Sequence, residues 1–195
     1  MAKYYFRLVL LVATIIGFFA LVGSLLPRSY SFTSEIEVAA SPEQIFPQIN
    51  SLPNWQNWSR QWNPTEIEGL EISYNNVKSG AGAAQSWTDI RGKGKLWITV
   101  SEADEAIQYE MEFAGFPKMS SSIELTVAAD DKTTVRWTSD GKLPGGPFYG
   151  YFGSFFSGQM KSQYGMSLEK LKSLVESSQA KPNDVDRSDG EILAD

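Results

Sequence analysis

Between Ile67 and Lys142 apolar and polar residues alternate along the chain. Ile107, Tyr109, Met111 and Phe113 take every second position, with Gln108, Glu110 and Glu112 between them. Leu96, Ile98 and Val100 repeat the pattern, as do Ile123, Leu125 and Val127, and Thr133, Val135 and Trp137. A period of two belongs to strands with one buried and one solvated face. Turn-forming clusters separate the runs, at Lys78–Gly82, Arg91–Gly94, Ala103–Ala106, Gly115–Lys118, Asp130-Asp131 and Asp140–Gly146. The pattern predicts six strands here and a seventh upstream, Ser31–Ala40, with Phe32, Ile36 and Val38 on its inner face. The connections are too short for parallel crossovers, so the expected sheet is an antiparallel meander.

Core positions in both Ile123–Val127 and Val135–Trp137 are odd-numbered. Paired residues share a face, so the turn between these strands has an odd length. A three-residue loop centred on Asp130 pairs Glu124 with Arg136 on the polar side.

After Lys142 the period changes to that of a helix. Phe152, Phe156, Met160, Tyr164, Leu168, Leu171 and Val175 follow at steps of three or four, one stripe on one face. Pro147 suits a first helical turn, so the expected helix runs from Pro147 to Glu176, roughly 45 Å. With no second long helix to pack on, the stripe must lie against the sheet. Its aliphatic second half reads as core. Its aromatic first half, punctuated by Gly150, Gly153 and Gly158, reads as facing something less permanent.

A short helix is expected after Ser41, with Ser41 as N-cap, Pro42 at the first helical position and Gln44 closing a capping box. It would bury Ile45, Phe46 and Ile49, with Pro47 kinking or shortening it. Trp55, Trp58 and Trp62 follow at spacings that put all three on one face of a helical turn. They serve either as a plug against the sheet or as the mouth of a pocket.

Leu8–Leu26 is a run of nineteen residues without a charge, about 28 Å as a helix. Lys3 and Arg7 precede it and Arg28 follows. That bias places the N-terminus in the cytoplasm and the remainder outside. A cleaved signal peptide is the rival reading, but its apolar region is usually shorter, and Val22-Gly23-Ser24 is a poor cleavage site. The expected organisation is a membrane anchor over residues 1–30, a domain over 31–177 and a disordered acidic tail over 178–195.

Composition narrows the chemistry. The chain of 195 residues has a net charge of −6, which argues against nucleic acid as a partner. With no cysteine and no histidine it has no thiolate nucleophile, no Ser-His-Asp triad and no His- or Cys-ligated metal. Gly80-x-Gly82 and Gly92-x-Gly94 open no helix and match no phosphate loop. Glu110 and Glu112 alternate with core residues and face water, Asp130-Asp131 is a turn, and Arg91, Lys93 and Lys95 read as a solvated strand end. No catalytic residue, metal ligand or cofactor is therefore assigned. What remains is a large, dispersed aromatic set, in which Trp97 also falls. A curved sheet and one helix form a wedge that gapes at one end, and ligand sites are usually such concave apolar places. The candidate cavity residues are Trp55, Trp58, Trp62, Trp87, Tyr109, Met111, Phe113, Trp137, Phe148, Phe152, Phe156 and Met160.

Five segments, in order, resemble the SRPBCC superfamily, the helix-grip fold of START lipid-transfer domains, the birch-pollen allergen and polyketide cyclase-like proteins. They are Val38-Ala-Ala-Ser-Pro-Glu-Gln-Ile-Phe46; Leu52-x-x-Trp55-x-x-Trp58-Ser59 with Trp62-x-Pro64; Gly80-x-Gly82-x-x-x-x-Trp87; Gly92-x-Gly94-x-x-x-Ile98; and Leu168-Glu-Lys-Leu171-Lys172-x-x-Val175-Glu176. Pro47 and the glycine- and aromatic-rich start of the last helix depart from the family pattern. The resemblance implies an α+β helix-grip fold, with seven antiparallel strands wrapped around the C-terminal helix and an apolar cavity between them. It implies no particular reaction. The expectation is a membrane-tethered module that binds a hydrophobic small molecule or lipid, held in the bilayer by Leu8–Leu26. The alternatives are a protein-interaction module with a filled core and a cyclase- or aromatase-like enzyme.

Overall fold

The computed structural model describes residues 2–179; most of the expected acidic tail, from residue 180 onward, lies outside the described residues. Helix α1 (Ala2–Leu25) precedes strand β1 (Ser29–Val38), helix α2 (Pro42–Asn50) and the short helix α3 (Trp55–Trp58). Six strands follow: β2 (Glu71–Tyr74), β3 (Ala84–Asp89), β4 (Gly92–Glu102), β5 (Ala106–Phe113), β6 (Met119–Val127) and β7 (Thr133–Lys142). Helix α4 (Gly153–Gln179) closes the domain.

All seven strands form one antiparallel sheet in the order β1-β7-β6-β5-β4-β3-β2. Strands β2 to β7 are the expected meander, and β1 adds to it along the full length of β7. Glu124 and Arg136 are Cα partners, and the backbone N–H of Ala128 donates to the Lys132 carbonyl at 2.8 Å, which leaves a three-residue loop centred on Asp130. The Arg136 guanidinium nevertheless turns to the other neighbour, bonding Glu35 of β1 at 3.1 Å. Both groups are more than half exposed, so the pair contributes about 0–1 kcal/mol.

In α2 the backbone N–H of Ser41 donates to Gln44 Oε1 at 3.0 Å, and Ile45, Phe46 and Ile49 are buried. Pro47 is accommodated within nine residues of helix.

Helix α4 lies across the concave face. Tyr164, Leu168, Leu171 and Val175 are all buried, each worth about 1.5–3 kcal/mol for a side chain of this size. Polar bonds fix the helix against β1: Ser34 Oγ donates to the Lys161 carbonyl at 2.9 Å, and the Ala39 N–H to Glu176 Oε1 at 2.8 Å. The helix starts later than its stripe predicts. Tyr149–Phe152 forms a 3₁₀ turn, and α4 begins at Gly153. Three residues per turn rather than 3.6 swing Phe152 off the stripe, leaving it 55% exposed.

Among the described residues α1 alone is long and apolar enough to cross a membrane. Its apolar side chains are exposed all round and only Gly23 is buried. A helix apolar on every side has no water-facing surface.

Candidate functional site

Strand register places the site. Ser29 pairs with Lys142, Met111 with Met119, and Gly94 with Phe113. These pairs lie along one rim of the wrapped sheet, the rim at which α1 joins β1. Inward-pointing residues at that rim come from four strands: Tyr30 of β1, Met119 of β6, Met111 and Phe113 of β5, and Trp87 of β3. Phe156 and Met160 of α4 form the opposite wall, and Trp62 and Ile67 close the side. Together they enclose an open cavity of about 350 Å³, within the range of small-molecule sites.

The aromatic lining is continuous. Trp62 meets Trp87 edge-on at 4.5 Å, Trp87 stacks on Phe113 at 6.2 Å, and Phe113 touches Phe116 at 6.0 Å. Phe116 stacks on Phe156 at 6.0 Å, and Phe156 lies 4.9 Å from Tyr30. Gly94 makes room for this arrangement. A Cβ there would strike the Trp87 indole, so the ring lies flat over the backbone of β4. This glycine belongs to β4, which begins at Gly92; the turn is shorter than the expected Arg91–Gly94 separator because Ile90 and Arg91 suffice for it.

Charged groups stand at one side of the mouth. Arg60 Nε bonds Glu66 Oε2 at 2.5 Å, and Lys170 also pairs with Glu66. Lys170 and then Arg60 hold the Glu66 carboxyl below the usual carboxylate range. Arg91 bonds the fully buried Asp89 carboxylate at 2.5 Å and pushes its pKa down likewise. Both carboxyls are thus shifted downward, the reverse of the raised value a carboxylic general acid needs. The Tyr30 hydroxyl, which donates to Met119 Sδ at 3.5 Å, is pushed up to about 12, mainly by burial. The indole N–H of Trp62 is buried at the cavity wall with no partner among the described residues. Gln85, two residues before Trp87 on the same face of β3, is buried with neither end of its amide bonded among the described residues. Buried polar atoms are seldom left unpaired.

Of the predicted cavity residues, Trp62, Trp87, Met111, Phe113, Phe156 and Met160 line the cavity. Trp55, Trp58, Tyr109 and Trp137 do not. They fill the wedge beyond it, with Trp55 5.4 Å from Trp58 and 5.2 Å from Tyr109. The Trp137 N–H donates to the Tyr109 hydroxyl at 2.8 Å, Ser121 and Ser139 share a bond of 2.6 Å, and Ser139 donates to Tyr164 at 3.1 Å. That network pins the deep half shut, and burial pushes the Tyr109 and Tyr164 hydroxyls up. Phe148 and Phe152 lie outside the cavity altogether, exposed beside α1. Trp97 is on the outer face, with the ammonium of Lys95 5.5 Å from its ring.

Several lining residues escaped the sequence reading. Tyr30 lies one position before the expected start of β1, Phe116 within a segment read as a turn, and Arg91 within one read as solvated.

Residues 29–176 match a family described as polyketide cyclase/dehydrase and lipid transport. The chain belongs to this family. The match spans the whole sheet and nearly all of α4, and excludes α1. The fold of this cyclase/lipid-transport family recurs in solved structures. A point mutant of norcoclaurine synthase from Thalictrum flavum, in complex with a transition-state analogue, is 14% identical, with a TM-score of 0.60, 78% of this chain covered and 98% of that one. Ara h 8.0201 is 15% identical, with a TM-score of 0.56 and coverages of 76% and 99%. The Aha1 dimer from Colwellia psychrerythraea is 17% identical, with a TM-score of 0.55 and coverages of 75% and 96%. At these identities the likeness establishes the helix-grip fold and nothing finer. No curated protein matches the chain.

Proposed function

We propose that this family member is a membrane-tethered binding module for a hydrophobic small molecule or lipid. The observation that carries the reading is the aromatic cavity of about 350 Å³, open at the rim where α1 joins the sheet. Its volume is at the small end of ligand sites and suits one compact apolar molecule or one acyl chain. In this reading α1 is an uncleaved single-pass anchor in the cell's inner membrane. Lys3 and Arg7 keep its N-terminus cytoplasmic, and the domain works on the extracytoplasmic side over residues 31–177.

Native mass spectrometry on the full-length protein, released from membranes in mild detergent, tests the binding. The expected result is one retained apolar mass other than detergent, reduced in a Met111→Trp variant whose larger side chain takes up part of the cavity. An empty wild-type protein, or equal loads in both, overturns the reading. The same spectra report the anchor: a mature chain beginning near Leu25 removes it.

A further inference from the structure

The segment between β7 and α4, with the first turn of α4, carries five aromatic residues that the fold leaves exposed: Phe148, Tyr149, Tyr151, Phe152 and Phe155, between 39% and 67% accessible. None of them lines the cavity. Contiguous exposed apolar surface of this kind marks an interaction site, and the occupant is indicated by what the segment already touches. The Tyr151 hydroxyl donates to the Phe19 carbonyl of α1 at 2.8 Å, and the two rings are 6.3 Å apart. A Cβ on Gly150 would sit 2.6 Å from both the Gly23 carbonyl oxygen and Leu26 Cβ, and one on Gly23 would collide with the Pro147 carbonyl. Two glycines therefore let the segment clasp the end of α1 at backbone distance.

We infer that Pro147–Phe155 is an aromatic collar that docks into the bilayer interface around the C-terminal end of α1. The inference rests on the reading of α1 as membrane-spanning. From Phe19 to Leu26 is about 10 Å along the helix axis, so a collar clasped at that level lies at the depth of the head-group and acyl boundary. Tyrosine and other amphipathic rings favour that layer. Arg28 and Lys142, exposed at the ends of the strands just above, stand at the level of lipid phosphates.

The collar sets the direction of the cavity. Phe155 points outward, 67% exposed, while the next residue, Phe156, is part of the cavity wall. Phe116, in the opposite wall, belongs to the same rim. A docked collar turns this mouth to the bilayer, so an apolar ligand passes between membrane and cavity without crossing bulk water.

The chain contains no cysteine, so single-cysteine variants of the full-length protein are clean probes. Nitroxide labels at Phe152→Cys, Phe155→Cys, Leu10→Cys in α1 and Val127→Cys at the far end of the sheet would be compared in phosphatidylcholine vesicles. The readout is accessibility to oxygen relative to a water-soluble nickel chelate. The expected ratio at 152 and 155 is several-fold above that at 127, approaching that at 10. Ratios at 152 and 155 equal to that at 127, with a high ratio at 10, overturn the collar and leave the tether standing. A low ratio at 10 removes both. Labels at 152 and 155 shielded from both reagents and broadened by spin–spin coupling place a second copy of the chain on this face, which also overturns the collar.

Discussion

Trp137 and Tyr164 stack with ring centroids 3.8 Å apart and planes 24° from parallel. One ring comes from the middle of β7 and the other from the middle of α4, so this contact joins the two layers of the fold. It also divides the wedge. Beyond it, Trp55, Trp58 and Tyr109 fill the space; short of it, the cavity opens. Tyr164→Phe keeps the stack but removes the acceptor of the 3.1 Å bond from buried Ser139. It should cost about 1–3 kcal/mol, whereas Tyr164→Ala should cost about 3–5 kcal/mol. Denaturant titration of the two variants checks the order. Equal losses would mean that the stacked ring adds nothing beyond its hydroxyl; no loss in Tyr164→Phe would mean that the hydroxyl is irrelevant.

The seven-strand architecture was legible because alternation survives wherever one sheet face is wet, and parity together with a three-residue turn at Asp130 placed Glu124 opposite Arg136. The site was legible only in part. Tyr30 is flanked by Ser29 and Ser31 and follows Pro27-Arg28, which reads as linker, yet pairing with β7 extends the strand that far. Phe116 sits among Gly115, Pro117 and Lys118, so turn chemistry masked a cavity wall. The stripe from Phe152 to Val175 has one period but two fates, because Phe152 ends a 3₁₀ turn that lies against α1 and the helix proper starts after it. Nothing local in the sequence announces a contact between Gly23 and Gly150.

The two halves of that stripe should respond differently to substitution. Leu171 is fully buried, and an unpaired carboxylate in its place costs more than the roughly 2–7 kcal/mol of a neutral polar group. Set against a total of about 5–15 kcal/mol, Leu171→Asp should unfold the domain. Phe152→Ala should leave its stability within about 0.5 kcal/mol, as exposed substitutions usually do. Sequence alone pointed to Phe152 as the ligand contact; with its ring outside the cavity, Phe156→Ala is the change expected to weaken ligand retention. Circular dichroism melts and the bound mass of the three variants separate these outcomes.

Gly94 and Trp87 form a testable pair. Gly94→Ala drives a methyl into the indole, and overpacking of this kind costs about 1–3 kcal/mol. The displaced ring should also spoil the cavity wall, lowering ligand retention. Trp87→Phe vacates the contested space, so the double variant should be more stable than the sum of the two single losses predicts. A double-mutant cycle on unfolding free energies measures this coupling. Strict additivity would mean that the indole does not rest on Gly94.

The titrating groups at the cavity predict how the domain fails at both ends of the pH scale. Asp89 is held below the unfolded value of about 3.9 by Arg91. A depressed pKa contributes stability that is complete above the unfolded value and is lost as pH falls through the folded one. Asp89→Asn should therefore weaken the domain at neutral pH, and the difference from wild type should close below about pH 4. Tyr30 behaves in the opposite sense. Burial raises its hydroxyl from about 10 to about 12, so its contribution is intact below pH 10 and disappears as the pH climbs toward 12. Tyr30→Phe cannot form a buried phenolate and should resist alkali better than the wild type. Unfolding midpoints across both ranges check the two signs; an Asp89→Asn deficit that persists unchanged in acid would show that the Arg91 pair is not the source of the shift.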